Sequence, residues 1–174
     1  MTRWPRAIRT MHWAMAAFML GVMITGFLMG ELPGGVWQNR MYNLHRSFGI
    51  TVLVLVIVRI GLRIWLPAPT EPSFASAFQA MAAKATHKLL YVLSFGMPIF
   101  GWIGSSAFGA PVVLYGIVTL PAIVEKNKAL ADWTLEIHSL AAWGMVILIL
   151  AHFGGALYHH LFLKDGLIRR VWPI

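Results

Sequence analysis

Seven histidines stand in this chain of 174 residues, and all of them fall within or at the ends of long apolar runs. An imidazole is costly in lipid, and one found there is chiefly a ligand, a proton carrier or an interhelical hydrogen-bonding group. His138 and His152 are fourteen residues apart in one such run. At about 3.6 residues per turn this is close to four turns, so the two share a helix face about 21 Å apart along the axis. That separation excludes joint chelation of one ion. It suits two centres stacked near opposite leaflets, as two flat iron macrocycles would be. Imidazole on both axial positions of such an iron favours outer-sphere electron transfer over oxygen chemistry.

Partners for these two follow from depth. His45 opens the second apolar run on the same side as His138, and His12 lies near the start of the first run, at the depth of His152. The pairs His45–His138 and His12–His152 therefore each bracket one haem iron. His87 opens the third run near the depth of His12, where it is an alternative ligand to His12 or His152, or a quinone or proton-path residue. His159 stays near the His152 stripe two turns on, with His160 beside it. That pair reads as interfacial, or as a quinone hydrogen bond or proton relay. The chain has no cysteine. This removes disulfides, thiolate metal sites, iron–sulfur clusters and covalent c-type attachment.

The elements that must hold these residues are four helices. A span needs about 20 mainly apolar residues, and four candidates run over about 10–30, 43–66, 87–108 and 133–163. Hydrophobic residues make up 59% of the chain and charged residues 11%, about half the charged fraction of a soluble domain. The fold class expected is all-α, an integral membrane four-helix bundle forming a single domain over 1–174. Arg3, Arg6 and Arg9 precede the first run as they would in a signal peptide, but the apolar stretch is too long and lacks a clear cleavage site, so the helix is expected to be retained.

The formal net charge is +8. The basic residues sit at the ends of apolar runs and not along a stripe, which argues for topology and against nucleic-acid binding. Ten of them fall on the side of the N-terminus and four (Arg40, Arg46, Lys126, Lys128) on the other, so both termini are expected to be cytoplasmic. On that outer side Glu31, Glu125, Asp132 and Glu136 balance the four cations. Residues 31–42 read as a short outer connection. Pro67-Ala68-Pro69 stops the second helix, and 109–132 reads as a long outer loop holding a short interfacial helix.

Haem propionates need cations. Arg46 adjoins His45, Arg9 lies one turn before His12, and Arg59 is fourteen residues after His45, on its stripe but at the depth of the inner haem. Each is a candidate propionate partner, with snorkelling as the alternative for Arg59. Gly49 lies one turn after His45, and Gly21, Gly26, Gly144, Gly154 and Gly155 offer room for a macrocycle or for ordinary helix packing.

The segments Ile8-Arg9-Thr10-Met11-His12-Trp13, Leu44-His45-Arg46-Ser47-Phe48-Gly49 and Val58-Arg59-Ile60-Gly61-Leu62-Arg63, together with Thr86-His87-Lys88-Leu89-Leu90-Tyr91, Glu136-Ile137-His138, Ala151-His152, His159-His160 and Lys164-Asp165, resemble in order and spacing the bacterial cytochrome b561 family of small four-helix dihaem membrane cytochromes. The resemblance implies two b haems ligated by His12, His45, His138 and His152, ubiquinone as electron acceptor, and the bacterial inner membrane as location. Some members are similar to superoxide oxidases, which pass an electron from periplasmic superoxide to ubiquinone, and that oxidoreductase activity is the expectation here. The rivals are a cytochrome b subunit serving a dehydrogenase or hydrogenase and, from another class, a haem-free transporter or metal-binding membrane protein.

Overall fold

A computed structural model describes residues 3–70 and 76–172 of the chain. Four long helices dominate: α1 (Arg6–Glu31), α2 (Val36–Trp65), α3 (Ala77–Phe108) and α4 (Lys128–Tyr158). All four are long and apolar enough to cross a membrane. A β-hairpin, β1 (Val112–Leu114) and β2 (Val118–Leu120), stands between α3 and α4. After α4 come a π-helical turn (His159–Leu163) and a 3-10 turn (Leu167–Arg170).

All four helices begin earlier than hydropathy predicts, and the starts of α2, α3 and α4 each have a local cause. Gly35, with φ +130°, turns the chain into α2 at Val36, seven residues before the expected start. The outer connection is correspondingly shorter. Ser76 caps α3 by accepting a hydrogen bond from the Gln79 amide, and the Asn127 side chain caps α4 by accepting one from Leu130. The first turns of α2 and α4 carry Gln38, Asn39 and Arg40 or Lys128 and Asp132 and so escape a window that scores apolarity; that of α3 is mostly apolar, and its start is set by the Ser76 cap. Gly109, in the left-handed region at φ +86°, closes α3.

The interfacial helix expected within 109–132 is not there. The segment Val112-Val113-Leu114-Tyr115-Gly116-Ile117-Val118-Thr119-Leu120 is a hairpin instead, with positive φ at both Tyr115 and Gly116. Its β-branched residues flank a turn dipeptide that favours a primed turn. The hairpin is clipped to α2. Ser47, fully buried, donates to the Val113 carbonyl at 3.3 Å and accepts from the Tyr115 amide at 2.9 Å, while Tyr115 Oη and Thr51 Oγ1 are 2.6 Å apart.

The helices pack as two pairs, α1 on α2 and α3 on α4, joined by a smaller α2–α3 contact; α4 meets α1 through side chains, as where the Phe27 and Trp143 ring centres are 5.2 Å apart, and not by close backbone packing. Few side chains are fully buried, and the large apolar ones face outward. That is the arrangement of a lipid-facing bundle with a cleft between its two halves. Both described ends of the chain meet at one end of the bundle, where the Trp4 amide donates to the Arg170 carbonyl at 3.1 Å. The β-hairpin marks the opposite end.

Candidate functional site

At the hairpin end His45 reaches from α2 and His138 from α4. Their ring centroids are 5.9 Å apart and their planes are turned 82° to each other. Both rings are held in the same way. His45 Nδ1 donates to the Val22 carbonyl of α1 at 2.8 Å, and His138 Nδ1 donates to the Met97 carbonyl of α3 at 2.9 Å. A carbonyl can only accept, so the proton of each neutral imidazole is on Nδ1 and the Nε2 lone pair is free for a metal.

One turn beyond each of those carbonyls stands a glycine. A Cβ at Gly26 would lie 2.8 Å from His45 Cε1, and one at Gly101 would lie 3.2 Å from His138 Cε1. Each ring therefore rests in a notch on the neighbouring helix, fixed by a carbonyl at one position and a missing side chain four residues later. In α3 Pro98 follows the accepting carbonyl directly. The proline removes a backbone donor from the helix and disturbs its regular ladder there.

At the termini end three histidines converge. His12 and His152 have centroids 6.1 Å apart, and His87 and His152 are 5.1 Å apart. Among the described residues neither His12 nor His152 has an orienting carbonyl of the kind that holds His45 and His138. Arg59 lies in electrostatic range of all three rings. Its Nε donates to Tyr91 Oη at 2.9 Å, and its guanidinium lies 5.9 Å from the centre of the Tyr91 ring.

The remaining expected residues divide. Arg9 is buried, and its Nη1 donates to the Trp172 carbonyl at 2.8 Å, while its Nε has no hydrogen-bond partner among the described residues. Arg46 lies 5.6 Å from the Tyr42 ring centre and reaches the Pro111 carbonyl only at 3.5 Å, which leaves its charge largely uncommitted. His159 is buried and its Nδ1 lies 2.5 Å from Asp165 Oδ2. Burial works to raise the Asp165 carboxyl, but the hydrogen bonds from His159 and from the Leu167 amide outweigh it and hold the group below its ordinary range.

Gly101, Tyr91 and Asp165 are absent from the expected site set. Gly101 lies four residues after Met97 as Gly26 lies four after Val22, but only the contacts of His138 and His45 with those carbonyls make the spacing meaningful. Asp165 appears in the family-like Lys164-Asp165 step, but its contact with His159 depends on the π-helical turn. Of the expected glycines, Gly26 touches a histidine and Gly21 meets Phe48, whereas Gly49 has only Val22, at 3.9 Å. Gly154 and Gly155 have nothing within 4 Å.

These facing pairs suit a planar iron group. Metal–imidazole bonds of about 2.0 Å place two opposed ring centroids about 6 Å apart, and the cleft keeps the α4 backbone from close packing on α1 and α2. Membrane-length helices that present opposed imidazoles across a cleft define a class, the membrane cytochromes. Comparison with known proteins narrows this further. The model of the family described as prokaryotic cytochrome b561 matches residues 3–173, and the chain belongs to that family. It is 32% identical over 161 residues to cytochrome b561 homolog 2 of Escherichia coli K12, covering 92% of this chain and 86% of that protein. It is 31% identical over 170 residues to cytochrome b562 of Cereibacter sphaeroides, covering 93% and 90%. It is 29% identical over 162 residues to the probable superoxide oxidase CybB of Yersinia pestis, covering 93% and 91%. The protein is thus a multi-pass electron-transfer protein of the bacterial inner membrane, and its family implies b-type haem.

Proposed function

We propose that the whole chain acts as one dihaem domain, with both termini cytoplasmic, that oxidises superoxide at the periplasmic face and reduces ubiquinone in the membrane. The observation that carries this reading is the presence of opposed imidazoles at both ends of one cleft, at 5.9 Å and 6.1 Å. His45 and His138 would hold one haem. His12 and His152 would hold the other, because their separation suits opposed ligands and the 5.1 Å between His87 and His152 is about 1 Å short. Bound haem supplies a one-electron couple.

The protein's own groups do the rest. Nδ1–H donation to carbonyls fixes the His45 and His138 rings and raises their basicity as ligands. Arg59 offers positive charge beside the termini-end histidines and is the best-placed propionate partner, with Arg9 and Arg46 as the other candidates. At the hairpin end Lys128 is paired with Asp132 at 2.6 Å. Arg46, beside His45 in sequence, would supply local attraction for an anion such as superoxide, with Arg40 and Lys126 on the same side. At the termini end His87 stands beside the ligand pair, where it would hydrogen-bond a quinone oxygen. His159, hydrogen-bonded to Asp165, would relay protons. Two superoxide anions each give up one electron to become dioxygen, and one quinone takes both electrons with two protons to become quinol.

The test is steady superoxide supplied to purified, haem-loaded protein with a short-chain ubiquinone. The expected result is one quinol per two superoxides consumed, abolished when the haem is removed. Failure to reduce haem or quinone would overturn the activity. A dehydrogenase or hydrogenase that co-purifies with an otherwise inactive protein would establish the subunit reading in its place.

A further inference from the structure

The segment after α4 builds a second polar feature, away from the histidine pairs. Left-handed conformations at Lys164 (φ +50°) and Gly166 (φ +73°) reverse the chain after the π-helical turn. Residues 167–172 then run back beneath α1. Trp13 Nε1 donates to the Val171 carbonyl at 2.9 Å, Arg9 Nη1 to the Trp172 carbonyl at 2.8 Å, and Arg170 Nη2 to the Thr70 carbonyl. These contacts frame a cavity of about 710 Å³ lined in part by Arg3, His160, Lys164, Asp165, Arg169 and Arg170. At about 30 Å³ per water it has room for more than twenty waters.

Two of the cations in this cavity, Lys164 and Arg169, have no side-chain partner among the described residues. Four of its lining residues are cationic, and Asp165 is the one carboxylate among them. Both oxygens of Asp165 are engaged, Oδ2 by His159 and Oδ1 by the Leu167 amide. Lys164 and Arg169 are exposed, and their side chains have no ion pair or hydrogen bond among the described residues. Topology asks only that cations gather on this side of the membrane; it does not ask that four of them surround one cavity. A bound anion would supply the partner that Lys164 and Arg169 do not have among the described residues.

We propose that this cavity binds the phosphate headgroup of an anionic phospholipid. A phosphate diester offers the charge and the acceptor oxygens that Lys164 and Arg169 lack. The source is lipid because the cavity lies at the end of a membrane-length helix, next to Trp13 and the half-exposed Trp172, at the level where indoles and headgroups meet. The inference rests on the fold alone and stands whether or not the protein oxidises superoxide.

The test uses the full-length, haem-loaded protein, stripped of lipid in detergent and examined by native mass spectrometry. Phosphatidylglycerol, phosphatidylcholine and inorganic phosphate are each supplied. The expected result is saturable binding of one phosphatidylglycerol, about tenfold tighter than phosphatidylcholine, and not displaced by millimolar phosphate. The double variant Lys164→Gln/Arg169→Gln, and to a lesser degree Arg169→Gln alone, weakens it. Arg6→Gln/Lys88→Gln removes as many cations from the same end and leaves binding intact, with haem content reporting that each variant is folded. Equal binding of both lipids, equal loss in the two double variants, or full displacement by inorganic phosphate would overturn the proposal; the last would mark the cavity as a site for free phosphate.

Discussion

The two ends of the cleft handle histidine differently. At the hairpin end each of two imidazoles is fixed twice, by a carbonyl and by a glycine notch on the neighbouring helix, and Ser47 ties the β-hairpin to α2 half a turn beyond His45. At the termini end three imidazoles and Arg59 share one neighbourhood; among the described residues His12 and His152 have no orienting carbonyl, and His87 is bonded only to the backbone of Ala83 in its own helix. A rigid pair of ligands with one fixed tautomer suits electron passage alone. A looser cluster with a surplus imidazole, a cation and a phenol suits the place where an electron meets a small molecule and a proton. On the proposed function, the contrast fits simple transfer at one end and coupled chemistry at the other.

Ligand deletions give the largest effects. His45→Ala or His138→Ala should take haem content from about two to about one per chain and leave the remaining haem's spectrum unchanged. His152→Ala should do the same from the other end. His12→Ala and His87→Ala separate the readings of the cluster: the first should lose a haem, and the second should keep both while quinone reduction slows. The reverse outcome would make His87 the ligand and shift the pairing.

The notches give the next largest effect. Gly26→Ala drives a methyl group against His45, and overpacking of this kind costs about 1–3 kcal/mol. Haem occupancy at the hairpin end should fall and the other end should be untouched. Gly101→Ala should be milder, because its contact is 3.2 Å and not 2.8 Å. Equal losses at both ends would show general bundle disruption and remove the argument for a shaped seat.

Arg59→Gln should act on potential and not on occupancy. Removing a cation disfavours the reduced, less positive state. The termini-end midpoint should therefore fall by about 50 mV, close to the 59 mV of a tenfold change in a one-electron equilibrium, while the hairpin-end midpoint holds. A shift of the same size at both ends in a redox titration would place Arg59 in a general field and not at one site.

The smallest effect concerns the turn beneath the cluster. Asp165 is held below its ordinary carboxylate range, so its stabilising contribution is present above about pH 4 and is lost as pH falls through the lower folded value. Asp165→Asn should speed exchange of the Leu167 amide several-fold near neutrality and flatten its acid dependence. An unchanged exchange rate would mean that the turn is held by its contacts to α1 alone.

Much of this was legible in the sequence. Length and apolarity gave the four helices, and the fourteen-residue spacing from His138 to His152 gave two levels along one face. Hydropathy missed the first turns of α2, α3 and α4, because a helix start is set by one residue, a glycine at positive φ for α2 and a capping side chain for α3 and α4. The β-hairpin was misread as an interfacial helix although its valines and the Tyr115-Gly116 turn point to strands. Arg9 reads by spacing as a propionate partner, and its Nη1 binds the Trp172 carbonyl, a contact between residues 163 positions apart that no local pattern encodes. The pairing of Gly26 with His45 has the same character. Its half-turns can be counted, but only the approach of two helices shows which imidazole the glycine admits.

The most direct test of the account is a reduced-minus-oxidised visible spectrum of the purified protein with haem quantified per chain. Sharp b-type bands at about two haems per chain are the predicted result. One haem per chain, or none after expression with ample haem, would contradict a cytochrome with a bis-histidine site at each end of its cleft.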